Sequence, residues 1–130
     1  MSDSPWANFA YAELRCKCGQ CDSTGREMDP TYMARLQRLR DAYGQPIQLA
    51  SAYRCARHPS EANKAGPGEH FDGRAVDVRC RGAEALHLLR LALPLGFNRI
   101  GIHQKGGARF LHLGWAPAAG RLPSPAIWSY

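Results

Sequence analysis

Four short stretches of this chain alternate aliphatic residues with small or polar ones, and that period of two constrains the fold more than any other feature. Successive side chains of a β-strand point to opposite faces. Over residues 46–53, Ile47 and Leu49 fall on one side, and Ala50, Ala52 and the following Arg54 on the other. Over 74–79, Val76 and Val78 oppose Gly73, Ala75 and Asp77. The stretch 98–103 sets Ile100 and Ile102 against Gly101 and His103, and 109–114 sets Leu111 and Leu113 against Phe110 and His112. Each predicted strand thus has an aliphatic face and a second face of small residues with one functional group. If the four share a sheet, Arg54, Asp77, His103 and His112 converge on one surface, with glycine and alanine beside them leaving room for a ligand.

Two helices are predicted to cover the aliphatic face. Asp29 is suited to an N-cap, Pro30 to the first helical position and Gly44 to the stop. Between them Tyr32, Leu36, Leu39 and Tyr43 recur at helical spacing. A second helix is predicted from about 83 to 93, with Leu86, Leu89 and Leu93 on its buried side and Pro94 and Gly96 ending it. Residues 1–28 are rich in turn formers and read as an irregular arm, and 56–68 reads as a long loop of the kind that carries function. The expected fold class is α+β: a small antiparallel sheet with helices on one face and a cleft on the other. One domain over residues 1–130 is expected, since that length supports a single core.

Composition narrows the function classes. Hydrophobic residues make up 45% and charged residues 22%, which fits a soluble globular chain. Residues 1–6 have neither a basic region nor an apolar run, so no secretory signal is expected, and no stretch approaches the ~20 apolar residues of a membrane span. The expectation is synthesis in a cytoplasm, as a monomer. The net charge of +6 suits an anionic polymer, nucleic acid or an anionic membrane. Its arginines are scattered rather than clustered, so charge alone singles out no partner.

The cysteines number five. Three crowd into Cys16-Lys-Cys18-Gly-Gln-Cys21, while Cys55 and Cys80 lie far along the chain. Such a cluster can hold a structural zinc, can stay reduced as ordinary thiols, or can contribute a disulfide of the Cys16–Cys55 type.

The strongest constellation is His70, Asp77 seven residues later, and His112. Two imidazoles and a carboxylate form a normal ligand set for catalytic zinc, which leaves a position open for water and for polarising a carbonyl. Taken singly, a loop histidine is ordinarily just exposed and an aspartate at a strand end is ordinarily a turn residue. The spacing and the shared strand face are what set these three apart.

Those residues also carry a family resemblance. Ser51-Ala-Tyr-Arg54, Gly68-Glu-His70-Phe-Asp-Gly73-Arg-Ala75-Val-Asp77, Gly96-Phe-Asn-Arg-Ile-Gly101 and Phe110-Leu-His112 together resemble the zinc D-Ala-D-Ala carboxypeptidases, most closely the short peptidases of that family found in bacteriophage genomes. The resemblance spans about residues 10–115. It implies a fold like that of hedgehog and D-Ala-D-Ala peptidases with a zinc cleft, Zn2+ on His70, Asp77 and His112, peptidoglycan stem peptides as substrate, and Arg54 holding a substrate carboxylate through its planar fork. Without the resemblance Arg54 reads as an ordinary surface or salt-bridging arginine. The chain departs from the family pattern at Gly68, where serine is frequent, and at Gly114, where the family commonly has aspartate two residues after the last ligand. The acid or histidine usual just before that ligand is also missing, its places holding Gly107, Arg109 and Phe110.

His103 is the expected substitute as proton-transfer residue: strand parity puts it opposite Phe110 and diagonal to His112. It reads equally as a surface histidine beside the turn at Lys105-Gly106-Gly107. Glu69 is the next candidate, expected to point away from His70. The functional expectation is a zinc-dependent peptidase acting on peptidoglycan stem peptides or cross-links, carboxypeptidase or endopeptidase, degrading the cell wall for a phage, either after release or as part of a virion. Two alternatives are a zinc-binding virion-structural or cell-wall-binding module that has lost its catalytic base, and a nucleic-acid-binding protein.

Overall fold

The computed structural model describes residues 4–58 and 68–130, so most of the predicted loop over 56–68 lies outside the described residues. Five strands form one sheet: β1 (Gln48–Ser51), β2 (Ala75–Arg79), β3 (Arg99–His103), β4 (Phe110–Gly114) and β5 (Ala126–Ser129), in the order β1-β2-β4-β3-β5. β1 with β2, β2 with β4 and β3 with β4 pair antiparallel, as expected. β5 was not foreseen; it lies along the β3 edge in parallel, so the sheet is mixed.

Helix α1 (Tyr11–Leu14) is a single turn inside the arm expected to be irregular throughout, and it buries Leu14. Helix α2 (Pro30–Tyr43) starts as its caps dictate. The Asp29 carboxylate accepts the Tyr32 amide at 2.8 Å, and Gly44 closes the helix in the left-handed conformation that glycine adopts without strain. Tyr32, Met33, Leu36 and Leu39 are its buried face; Tyr43, expected among them, is only half-buried. Tyr32 also ties helix to sheet, its hydroxyl donating to the Leu113 carbonyl at 2.6 Å.

Helix α3 (Ala83–Ala92) corrects the sequence reading. It buries Ala85, Leu88 and Ala92, whereas Leu86 and Leu93 are more than half exposed. The true stripe is rotated by one residue, ~100°, from the predicted one. Leucine occurs on most sides of this helix, and the sheet selects the face where alanines permit close approach. The helix runs into a 3-10 turn at Leu93–Leu95 that Gly96 ends. The core lies between α2, α3 and one face of the sheet, built on Leu36, Leu39, Leu88, Val76, Val78, Ile100, Leu111 and Leu113. The opposite face carries the polar groups.

A bulge interrupts β1. Leu49 pairs with Val78, yet Ser51 pairs with Asp77, so one extra residue is inserted and the side-chain alternation reverses. Ala52 consequently packs in the core rather than on the polar face where unbroken alternation put it. Arg54 reaches the polar face nonetheless, because it lies past the strand end, with its amide held by the His70 carbonyl at 3.2 Å.

Candidate metal centre

Strand register brings the central residues together. Asp77 in the middle of β2 is the direct partner of His112 in β4, and both side chains rise on the polar face. His70 comes from the turn that leads into β2. That turn is secured by hydrogen bonds from the Gly73 amide to the His70 carbonyl and from the Asp29 amide to the Gly73 carbonyl. All three side chains are almost completely buried.

Three atoms converge. His70 Nε2 lies 3.2 Å from His112 Nδ1 and 3.3 Å from Asp77 Oδ1, and His112 Nδ1 lies 3.1 Å from Asp77 Oδ1. Ligands at ~2.0–2.1 Å around a tetrahedral zinc stand about 3.3 Å apart, so this triangle has the dimensions of one tetrahedral face. The outer partners orient the rings. His70 Nδ1 lies 2.7 Å from the Ala52 carbonyl, which can only accept, so Nδ1 carries hydrogen and Nε2 turns its lone pair inward. On His112 the Glu69 carboxylate meets Nε2 in the same way, leaving Nδ1 as the inward atom. Arg54 donates to the other oxygen of Asp77 at 2.8 Å and to Ser51 Oγ at 2.9 Å, which aims Oδ1 at the two rings.

The electrostatics favour a cation at the meeting point. Burial keeps the His70 pKa below its ordinary value against the pull of Asp77. Burial also disfavours charge on His112, but hydrogen bonds to Asp77 and Glu69 outweigh it and raise that pKa. Burial likewise penalises the Asp77 and Glu69 carboxylates, yet the two histidines hold Asp77 far below the carboxylate range, and His112 with Arg99 hold Glu69 low. The Asp77 carboxylate and two inward nitrogens meet at one point, with a second carboxylate, Glu69, behind His112, and that environment binds positive charge. The donor set fits zinc.

The triangle forms the floor of a cleft of about 470 Å³, walled by Arg54, Glu69, Arg99, Phe110, Trp128 and Tyr130. Glu69 is buried inside it, contacting His112 on one side and Arg99 on the other. The expectation that it points away from His70 is therefore corrected: the two residues belong to a turn, where strand alternation does not hold. A methyl added at Gly114 would stand 3.0 Å from the Glu69 carboxyl carbon and 3.1 Å from His112 Nε2. The Glu69 carboxylate thus occupies the space that a side chain at position 114 would take, where the resemblance led to an expected aspartate.

Of the residues read from sequence, His70, Asp77, His112 and Arg54 meet at this site. His103 has the expected register, opposite Phe110, but its ring packs against Phe110 and Tyr130 rather than lining the cleft floor. Its Nδ1 is buried without a hydrogen-bond partner among the described residues. Sequence reasoning missed Trp128 and Tyr130, which β5 and its end bring to the cleft. The Trp128 ring packs at a tilt against His112, 5.0 Å between centroids, using space that Gly101 leaves: a methyl there would meet the indole nitrogen at 2.6 Å. The alternation Ala126-Ile-Trp128-Ser-Tyr130 was the available signal.

With this geometry in view, comparison with known families is decisive: the Peptidase M15 model matches residues 7–114. The chain belongs to the Peptidase M15 family. That family is one of zinc-dependent D-Ala-D-Ala carboxypeptidase-like metallopeptidases, and the matched stretch contains His70, Asp77, His112 and Arg54. It ends at Gly114, so the aromatic wall from β5 lies beyond the stretch matched to Peptidase M15. No curated protein matches the chain well enough to count as a relative. Among the described residues no helix is long and apolar enough to cross a membrane.

Proposed function

We propose that this Peptidase M15 member hydrolyses peptide bonds in the stem peptides or cross-links of bacterial peptidoglycan, in the service of cell-wall degradation by a phage. The observation that carries the reading is the convergence of His70 Nε2, Asp77 Oδ1 and His112 Nδ1 on the floor of an open cleft. Zinc held by these atoms would supply Lewis acidity to the water and the scissile carbonyl of an amide hydrolysis.

The chain's own residues supply the rest. Arg54 and Arg99 put two guanidinium groups on the cleft wall, where the carboxylates of a stem peptide find complementary charge. Arg54 is anchored by Ser51 and Asp77, so its plane is fixed before substrate arrives. Glu69 holds the Nε2 proton of His112 and is the one carboxylate besides Asp77 on the described cleft wall, so we assign proton transfer to it rather than to His103. Trp128 and Tyr130 offer an apolar and hydrogen-bonding surface beside the reacting group. Action at the cell wall, after release or within a virion, follows from the substrate class.

Mass spectrometry of purified muropeptides incubated with zinc-loaded protein, with and without chelator, tests the proposal. The expected product is a stem peptide shortened by one residue or a resolved cross-link, formed only without chelator. A second reading, a zinc-binding module without turnover, is favoured by the locking of Glu69 between Arg99 and His112. Zinc-loaded protein that binds muropeptides and leaves their masses unchanged would establish it.

A further inference from the structure

A second group of metal-binding side chains lies outside the cleft. The sulfurs of Cys16, Cys18, Cys21 and Cys55 all fall within 4.8 Å of one another. Cys16 to Cys55 is 3.6 Å, Cys18 to Cys21 is 3.6 Å, and Cys18 to Cys55 is 3.4 Å. None is in a disulfide, for which bonded sulfurs stand at ~2.05 Å. Four thiolates at ~2.3 Å around a tetrahedral zinc are about 3.8 Å apart, close to the spacing found. A pair of disulfides would draw two sulfurs together and away from the other two; here Cys18 approaches Cys21 and Cys55 about equally.

The surroundings suit a metal thiolate. The Gln20 amide donates to Cys18 Sγ and the Cys55 amide to Cys16 Sγ, both at 3.3 Å. Such N–H groups offset negative charge on ligating sulfur. The Cys16 amide is held by Ser23 Oγ at 2.8 Å, which fixes the start of the loop. Three sulfurs come from that one short loop, and the fourth comes from the residue after Arg54.

We propose that Cys16, Cys18, Cys21 and Cys55 bind a structural zinc ion as a closed tetrathiolate, separate from the His70–Asp77–His112 centre, and so staple the amino-terminal arm to the segment that carries Arg54. On binding, four thiol protons leave to solvent and four zinc–sulfur bonds form, with no change of oxidation state. All four positions are filled by protein, so the site has no vacancy for water or substrate and does no chemistry. Its reach into function is through position. Around Cys55, the Tyr53 amide is held by the Leu14 carbonyl, and Arg57 donates to the Gln20 carbonyl at 3.1 Å. Arm and Arg54 segment are thus already in register, and the ion would lock them.

The test uses full-length protein purified under reducing, anaerobic conditions. Zinc analysis should give two ions per chain, and one in a His70→Ala/His112→Ala variant. Cobalt(II) replacing the ion in that variant should give the intense near-ultraviolet charge-transfer bands of thiolate–cobalt bonds. Cys18→Ser should lose one zinc and the bands while the remaining zinc stays. The cobalt spectrum of the unmutated protein decides the matter even if a variant fails to fold. Absence of thiolate bands there, or an intact mass short of hydrogens through disulfide formation, would overturn the proposal.

Discussion

The His–Asp cluster and the cysteine cluster are built from opposite materials. The first stands on paired strands, with Asp77 and His112 fixed by register and each inward donor held by an outer partner: Ala52, Glu69 or Arg54. It supplies three donors and opens onto a cleft. The second gathers four sulfurs from loops, with only Cys16 fully buried. Three donors in an open cleft leave room for a reaction, whereas four donors close a site. One cluster depends on the fold for its geometry; the other, with its ion, helps impose geometry on an arm that has little regular structure.

Substitutions should separate the two, and the largest effect is expected at the strand-borne site. His112→Ala should abolish hydrolysis and remove the zinc of that centre while leaving thiolate-bound metal in place, as read by zinc analysis beside a turnover assay. Next comes the second layer. Glu69→Gln should cost roughly 10²–10⁴-fold in turnover, the scale for losing a proton-transfer group, and about 10–100-fold in zinc affinity as the outer partner of His112. His103→Ala, by contrast, should leave turnover unchanged. A turnover loss in the histidine variant with none in the glutamine variant would reverse our assignment of proton transfer.

A smaller effect is expected at Arg54, where the two regions meet. Arg54→Lys should keep both metals and raise KM about tenfold, ~1.4 kcal/mol, because an ammonium cannot reproduce the fixed fork. Unchanged KM would return Arg54 to the role of Asp77's ion-pair partner. Gly114→Ala should act on stability: its methyl presses on the Glu69 carboxylate at 3.0 Å, an overpacking of about 1–3 kcal/mol in thermal or urea unfolding.

Much of this was legible in the sequence where local rules and tertiary structure agree. Strand alternation placed Val76 and Val78 inward and Asp77 outward, and the pairing of β3 with β4 came out in the expected register. Asp29, Pro30 and Gly44 marked the ends of α2 because capping is local chemistry. What was missed depended on information a linear pattern does not hold. The bulge in β1 reversed the face of Ala52, since an inserted residue leaves composition unaltered. The buried face of α3 was set by how closely the sheet could approach, not by where leucine is densest. Glu69 was expected to point away from His70, but the turn that holds both residues brings its carboxylate onto His112 at the same site. Cys55 was expected near Cys16 only as a disulfide partner; folding of the arm onto the Arg54 segment instead puts its free thiol beside both Cys16 and Cys18.

Graded chelation tests the division of labour most directly, with zinc content, hydrolysis of muropeptides and thermal unfolding followed on the same samples. The first zinc lost should come from the open His70–Asp77–His112 centre and take all activity with it, while the melting temperature changes little. The second should leave with the thiolates exposed and the melting temperature lowered. If activity survives the first loss and disappears only with the second, the chemistry is not where His70, Asp77 and His112 converge.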